Sequence, residues 1–192
     1  MYKLCKTEQS AVRQRELEKH LTALMNTCRY EEISVSDFCT YTGLPRKAFY
    51  RYFSSKEGAL YALLDHTLLE YESYEAPYAP GEAPTIIRDL EGFFLFWQNQ
   101  KSLLDALEYS GLKGILLERA ISFAARYPLL EQLLQKEDAK TREHIVQFGI
   151  CGLMQMMINW HHEGFRESAT EMAQIAVRLV TQPLFPMIKP LE

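Results

Sequence analysis

The chain has 192 residues, 47% hydrophobic and 24% charged, a composition that suits a packed globular protein of one or two domains and excludes an extended disordered polymer. Its net charge of -4 is unevenly spread: residues 1–60 hold ten cations and seven anions, and the remainder eleven cations and eighteen anions, so a basic head precedes an acidic body. The longest apolar stretches, 93–97 and 148–158, fall short of the roughly 18 to 20 residues of a membrane helix, and residues 1–10 hold no signal-like apolar run, so a cytoplasmic protein with no membrane partner is expected.

Taken in chain order, Leu17, Leu21, Leu24, Met25 and Cys28 repeat at helical spacing and predict a first helix over 8–28, with Arg13, Arg15, Glu16, Glu18 and Lys19 facing water. Ser34, with Asp37 three residues on, marks the start of a short second helix running to about residue 41. Gly43 supplies the sharp turn, since a residue without Cβ takes positive φ at little cost. Pro45 suits the first turn of a third helix over 45–52, where its missing N–H would have no partner anyway. Ser54 or Ser55 caps a fourth helix, Ser54 and Glu57 having capping-box spacing, and Leu60, Leu63, Leu64 and Leu68 carry it to about residue 74.

Three prolines between 75 and 85 make the one obvious linker. Helical patterns resume at 86–100, 103–110, 112–126, 129–135, 138–162 and 168–181. No segment alternates with period two, and no repeat is visible, so the predicted class is all-α.

Val35, Phe38, Leu44, Phe49 and Phe53 would form a small core joining helices two and three. On the third helix Arg46 and Tyr50 then lie one turn apart on the face opposite Phe49 and Phe53, flanked by Lys47, Ala48, Arg51 and Tyr52. An apolar back and a hydrogen-bonding front are what a helix needs to sit in the major groove.

The residues Ser34-Val35, Asp37-Phe38-Cys39, Thr42-Gly43-Leu44-Pro45, Phe49-Tyr50, Tyr52-Phe53 and Ser55-Lys56-Glu57 resemble the helix-turn-helix of the TetR family of bacterial transcriptional regulators. The resemblance covers about a quarter of the chain. It implies that Ser36, Arg46, Lys47 and Ala48 read bases and that Tyr50, Tyr52 and Lys56 contact phosphates; Ser34, Pro45 and Arg51 complete the candidate DNA-facing set. Lys56 at a helix N-terminus would add its charge to free amides that attract phosphate. Ser36 stands where arginine is frequent and Lys47 where a small residue is usual, so which bases are read stays open.

The same resemblance implies a homodimer on a double-stranded DNA operator, with residues 1–55 as DNA-binding domain and 56–192 as effector-binding and dimerisation domain. It further implies a repressor responsive to a small apolar or aromatic effector. Phe93, Phe94, Phe96, Trp97, Tyr109, Phe123, Tyr127, Met154, Met156, Met157 and Trp160 could line an apolar cavity; Phe93, Phe96, Trp97, Tyr109, Phe123, Met157 and Trp160 are the candidate effector residues, and plain core packing is the competing account of each. Gly149, Cys151 and Gly152 permit close helix approach, and Met172, Ile175, Ala176, Leu179 and Val180 offer a second apolar stripe. The stretch 148–172, with Gly152, Trp160, Gly164 and Glu171-Met172, is similar to the C-terminal domain of Firmicutes TetR-like regulators.

Cys5, Cys28, Cys39 and Cys151 lack metal-ligand or disulfide-framework spacing and are expected as reduced, mostly buried thiols, a redox role for Cys28 or Cys151 staying open. His161 and His162, adjacent on a helix, point about 100° apart and suit a solvated or dipole-stabilising role rather than a metal. No metal or other cofactor is expected, and no catalytic constellation is recognisable. The alternative function has the C-terminal domain docking a protein partner instead of sensing a small molecule.

Overall fold

The computed structural model describes residues 2, 5, 7–74, 85–124 and 135–181. Among them are nine α-helices: α1 (Glu8–Met25), α2 (Val35–Thr42), α3 (Arg46–Tyr52), α4 (Lys56–Glu72), α5 (Ile86–Asn99), α6 (Lys101–Tyr109), α7 (Lys113–Ala124), α8 (Ala139–His162) and α9 (Ala169–Thr181). A 3-10 turn, Tyr30–Glu32, joins α1 to α2. The only extended pairing among these residues is a single antiparallel bridge between Tyr2 and Phe53. The expected linker at 75–84, Tyr127 and most of the helix expected at 129–135 lie outside the described residues.

Local chemistry explains each boundary of the head. Thr7 caps α1 by accepting the Ser10 amide at 3.3 Å. Ser34 and Asp37 form a reciprocal capping box at the start of α2, at 2.9 and 3.1 Å. Hydrogen bonds from the side chain and backbone of Ser34 hold the Asp37 carboxyl below its usual range. Gly43 ends α2 with φ +66°, and the Leu44 amide reaches back to the Cys39 carbonyl at 3.0 Å, closing the left-handed cap.

Two expected boundaries shift. Pro45 is the N-cap of α3 rather than its first helical residue: its carbonyl accepts the Ala48 and Phe49 amides, while its own backbone stays extended. Ser55, not Ser54, caps α4, accepting the Gly58 amide at 3.0 Å, so the capping box expected between Ser54 and Glu57 does not form.

The stripe of α1 is buried at Leu17, Leu21 and Met25, but the same face carries two buried polar side chains, Gln14 and Glu18, each 2% exposed. This corrects the expectation that Glu18 faces water. Helix α4 crosses α1 at that level, and His66 Nδ1 lies 2.8 Å from Glu18 Oε1, while Arg15 donates to Oε2 at 3.3 Å. Burial is the largest influence on this carboxyl and pushes its pKa up to about 8, against the opposing pull of Arg15.

The body is organised around α5. Its inner face, Phe93, Phe94, Phe96 and Trp97, is buried against α9 and the tyrosines at the end of α4, with Tyr71 and Tyr74 rings 5.2 and 5.4 Å from Phe96. Helix α8 packs on α7 and contributes Trp160, whose ring lies 5.5 Å from Phe94 and 4.6 Å from Phe165. His161, expected in a solvated or dipole-stabilising role, is buried at the end of α8. Its Nε2 is 2.8 Å from Asp105 Oδ1 and its Nδ1 is 3.1 Å from Glu108 Oε2, so it ties α8 to α6. His162 is exposed and pairs with Glu108 from outside. No group of His, Cys, Asp or Glu suited to a metal ion occurs among the described residues. The four cysteines are free and half-buried rather than buried.

Candidate nucleic-acid interface

Helix α3 is seven residues long and held from behind by aromatic packing. Phe49 and Phe53 are 1% and 0% exposed, and the Phe49 ring lies 5.5 Å from Phe38 of α2 in an edge-to-face arrangement. Gln14 of α1 donates to the Tyr52 carbonyl at 3.2 Å, pinning the C-terminal end of α3. Val35 and Leu44, half-buried, complete the small core.

With its back fixed, α3 presents the opposite face outward. Arg46 and Lys47 are exposed and Ala48 is half-buried. Arg46 Nη1 donates to the Ser36 hydroxyl of α2 at 3.1 Å, and its guanidinium lies 6.0 Å from the Tyr50 ring centre. The two helices therefore share one polar surface, assembled from Ser36, Arg46 and Tyr50. Arg51 lies over the Tyr52 ring at 5.8 Å on the flank. Pro45 is exposed at the start of α3, and Ser34, also exposed, has its hydroxyl engaged in the cap.

Lys56 differs from the others. Its ammonium donates to the carbonyls of Tyr30 (2.9 Å) and Glu31 (3.2 Å) and sits 4.5 Å from the Tyr30 ring centre. It therefore fastens the turn between α1 and α2 to the start of α4. No local sequence signal announces these bonds, because their acceptors are backbone carbonyls 25 and 26 positions away.

No family model matches the chain, and no curated protein matches it. Among the solved structures that do match is the fatty acid degradation regulator FadR from Bacillus halodurans, at a TM-score of 0.59 and 15% sequence identity, covering 94% of this chain and 98% of that one. The chain shares the all-helical fold of that structure over nearly its whole length. At that identity the likeness is one of fold, and it extends over head and body alike.

Within this fold the candidate effector residues divide. The ring centres of Phe93 and Phe96 lie 6.4 and 5.4 Å from that of Trp97, and Trp160 joins them through Phe94. Met157 is fully buried and Phe123 half-buried against the same core. Tyr109 stands apart: it is the last residue of α6, 51% exposed, with the Arg29 guanidinium 5.8 Å from its ring centre. The Trp97 indole nitrogen is buried without a hydrogen-bond partner among the described residues.

Among the described residues both C-terminal helices expose apolar side chains. Ile145 and Phe148 of α8 are 42% and 73% exposed, Ile175 and Leu179 of α9 are 39% and 43% exposed, and nothing approaches the Cβ positions of Gly149 and Gly152 within 4 Å. No helix among the described residues is long and apolar enough to cross a membrane.

Proposed function

We propose that this chain is a sequence-specific DNA-binding transcriptional regulator, acting as a homodimer on a roughly palindromic operator in the cytoplasm. The observation that carries this reading is the exposed surface shared by Ser36, Arg46 and Tyr50, backed by the buried Phe49 and Phe53 and set in a regulator's fold. Arg46 presents a planar fork of donors suited to guanine O6 and N7, a pairing worth about 1 to 3 kcal/mol of discrimination. Lys47 reads bases beside Arg46, Tyr50 and Tyr52 supply phosphate contacts with Arg51 on their flank, and Ala48 permits close approach to bases. Lys56 acts in part through the turn it fastens, holding α4 against the head.

Dimerisation through α8 and α9 places two copies of α3 in successive major grooves, about 34 to 36 Å apart. The exposed Phe148 and Ile145 beside Gly149 and Gly152 support that pairing, since they form an apolar strip where backbones can come close. The effector reading is a small aromatic or apolar molecule, bound against Phe93, Phe96, Trp97 and Met157, with a hydrogen-bond acceptor for the orphan Trp97 N–H. Its arrival would shift α4 through Tyr71 and Tyr74, which pack on Phe96, alter the separation of the heads and release the DNA. Repression relieved by an effector follows from that sequence of events.

Fluorescence-anisotropy titration with DNA from the chain's own promoter region tests the reading. Saturable, salt-sensitive binding that falls at least tenfold, about 1.4 kcal/mol, in the combined variant Arg46→Ala, Lys47→Ala, Tyr50→Phe is expected. Unchanged binding in that variant would sink the assigned face.

A further inference from the structure

Between the head and the body lies an open groove of about 240 Å³, walled by α1, by α4 and by the turn from α5 into α6. It is separate from the aromatic cluster of α5, sharing none of its residues. Its size is below the roughly 300 to 1,000 Å³ of pockets for drug-sized ligands and suits a small metabolite.

The polar groups on its walls divide into engaged and unengaged. Arg15 spans Glu18 and Glu70, at 3.3 and 2.9 Å, and so balances the charge of Glu70. Thr22 and Thr67 donate their hydroxyls to carbonyls of their own helices, at 3.3 and 2.8 Å. Lys19, by contrast, has no ion-pair partner among the described residues, and the side-chain amides of Asn99 and Gln100 have no hydrogen bonds there. Ser102 accepts from Asn26 at 3.2 Å and keeps its own hydroxyl proton to donate. The unengaged groups are thus an ammonium, two amides and a hydroxyl, a set rich in donors, with Ala23, Leu63 and Leu103 as the apolar lining. Burial keeps the Glu18 carboxyl largely protonated at neutral pH, so Arg15 and Lys19 outweigh Glu70 by one positive charge.

We propose that this groove binds a small organic carboxylate, its anionic group on Lys19, Asn99 and Gln100 and its hydrocarbon part against Ala23, Leu63 and Leu103. Such an occupant touches the head through α1 and the body through α4 and the α5–α6 turn at once, so it fixes their relative position. Its consequence for DNA affinity rests on the regulator reading above; its binding does not.

Saturation-transfer NMR on the full chain, without DNA, tests the site with benzoate, phenylacetate and isovalerate as probes. At least one is expected to bind saturably, to lose about tenfold in affinity in Lys19→Gln and in Asn99→Asp, and to keep its affinity in Lys113→Gln. Benzamide, which lacks the charge, is expected not to compete. The proposal is overturned if none of the three probes binds, if both groove variants leave binding unchanged, or if Trp97→Phe abolishes binding while the groove variants do not. Loss of operator binding in the recognition-helix variant would leave these outcomes unaffected, so the two readings fail separately.

Discussion

Glu18 shows how one buried carboxyl couples pH to stability. Its pKa stands near 8 in the folded chain because of burial, against about 4.5 when exposed in the unfolded chain, so the folded state holds a proton that the unfolded state has released between those values. The group's favourable contribution is complete below about pH 4.5 and is lost as pH rises through 8. Chemical denaturation of Glu18→Gln, which does not titrate, should therefore show a stability gain over the parent chain that grows from pH 5 to pH 8, reaching on the order of a few kcal/mol. An equal difference at both pH values would count against a proton on Glu18. Lys56 makes a second test at this scale. Lys56→Met keeps the stem but removes the donors to the Tyr30 and Glu31 carbonyls, and should cost about 1 to 2 kcal/mol by urea unfolding as well as weakening DNA binding. A lysine acting on phosphate alone would leave the urea midpoint in place.

At the scale of elements, the helix-turn-helix is specified by short-range chemistry that the sequence displays openly. The Ser34–Asp37 box, Gly43 at φ +66° and Pro45 ahead of α3 all act within five positions of one another's partners. Gly43→Ala meets no atom within 4 Å, so its cost is conformational alone, about 1 kcal/mol, visible as a lowered melting temperature with the DNA-bound structure intact. Residues whose partners are distant in sequence were not legible in this way. Glu18 read as part of the wet side of an amphipathic helix, and only the crossing of α4 buries it; Gln14 is buried on the same face. His161 read as a solvated or dipole-stabilising residue at a helix end; the carboxylates of α6, more than fifty positions earlier, hold it in the core.

For the molecule as a whole, the exposed side chains of Ile145, Phe148, Ile175 and Leu179 bear on assembly. Phe148→Glu places a charge where the proposed pairing is apolar, so light scattering should report a monomer, with the melting temperature of the isolated chain little changed because Phe148 is 73% exposed. Operator affinity should fall with it, since two heads bind one palindrome only while they are joined. A Phe148→Glu protein that stays dimeric would place the interface elsewhere. The aromatic body illustrates the opposite limit of sequence reading. Composition brought Tyr109 into one set with Phe93, Phe96 and Trp97, yet the end of α6 carries it away to Arg29 at the head.

The all-α class, the order of the helices and the two-faced third helix were determined by the sequence alone, because caps, turns and helical periodicity act between residues a few positions apart. Tertiary structure alone decided the buried Glu18 and His161, the engagement of Lys56 with a neighbouring turn, the separation of Tyr109 from the other aromatics and the polar groove between head and body. Each of these depends on groups brought together across tens of residues, where side-chain spacing carries no information and the packing of one helix on another sets both distance and dielectric.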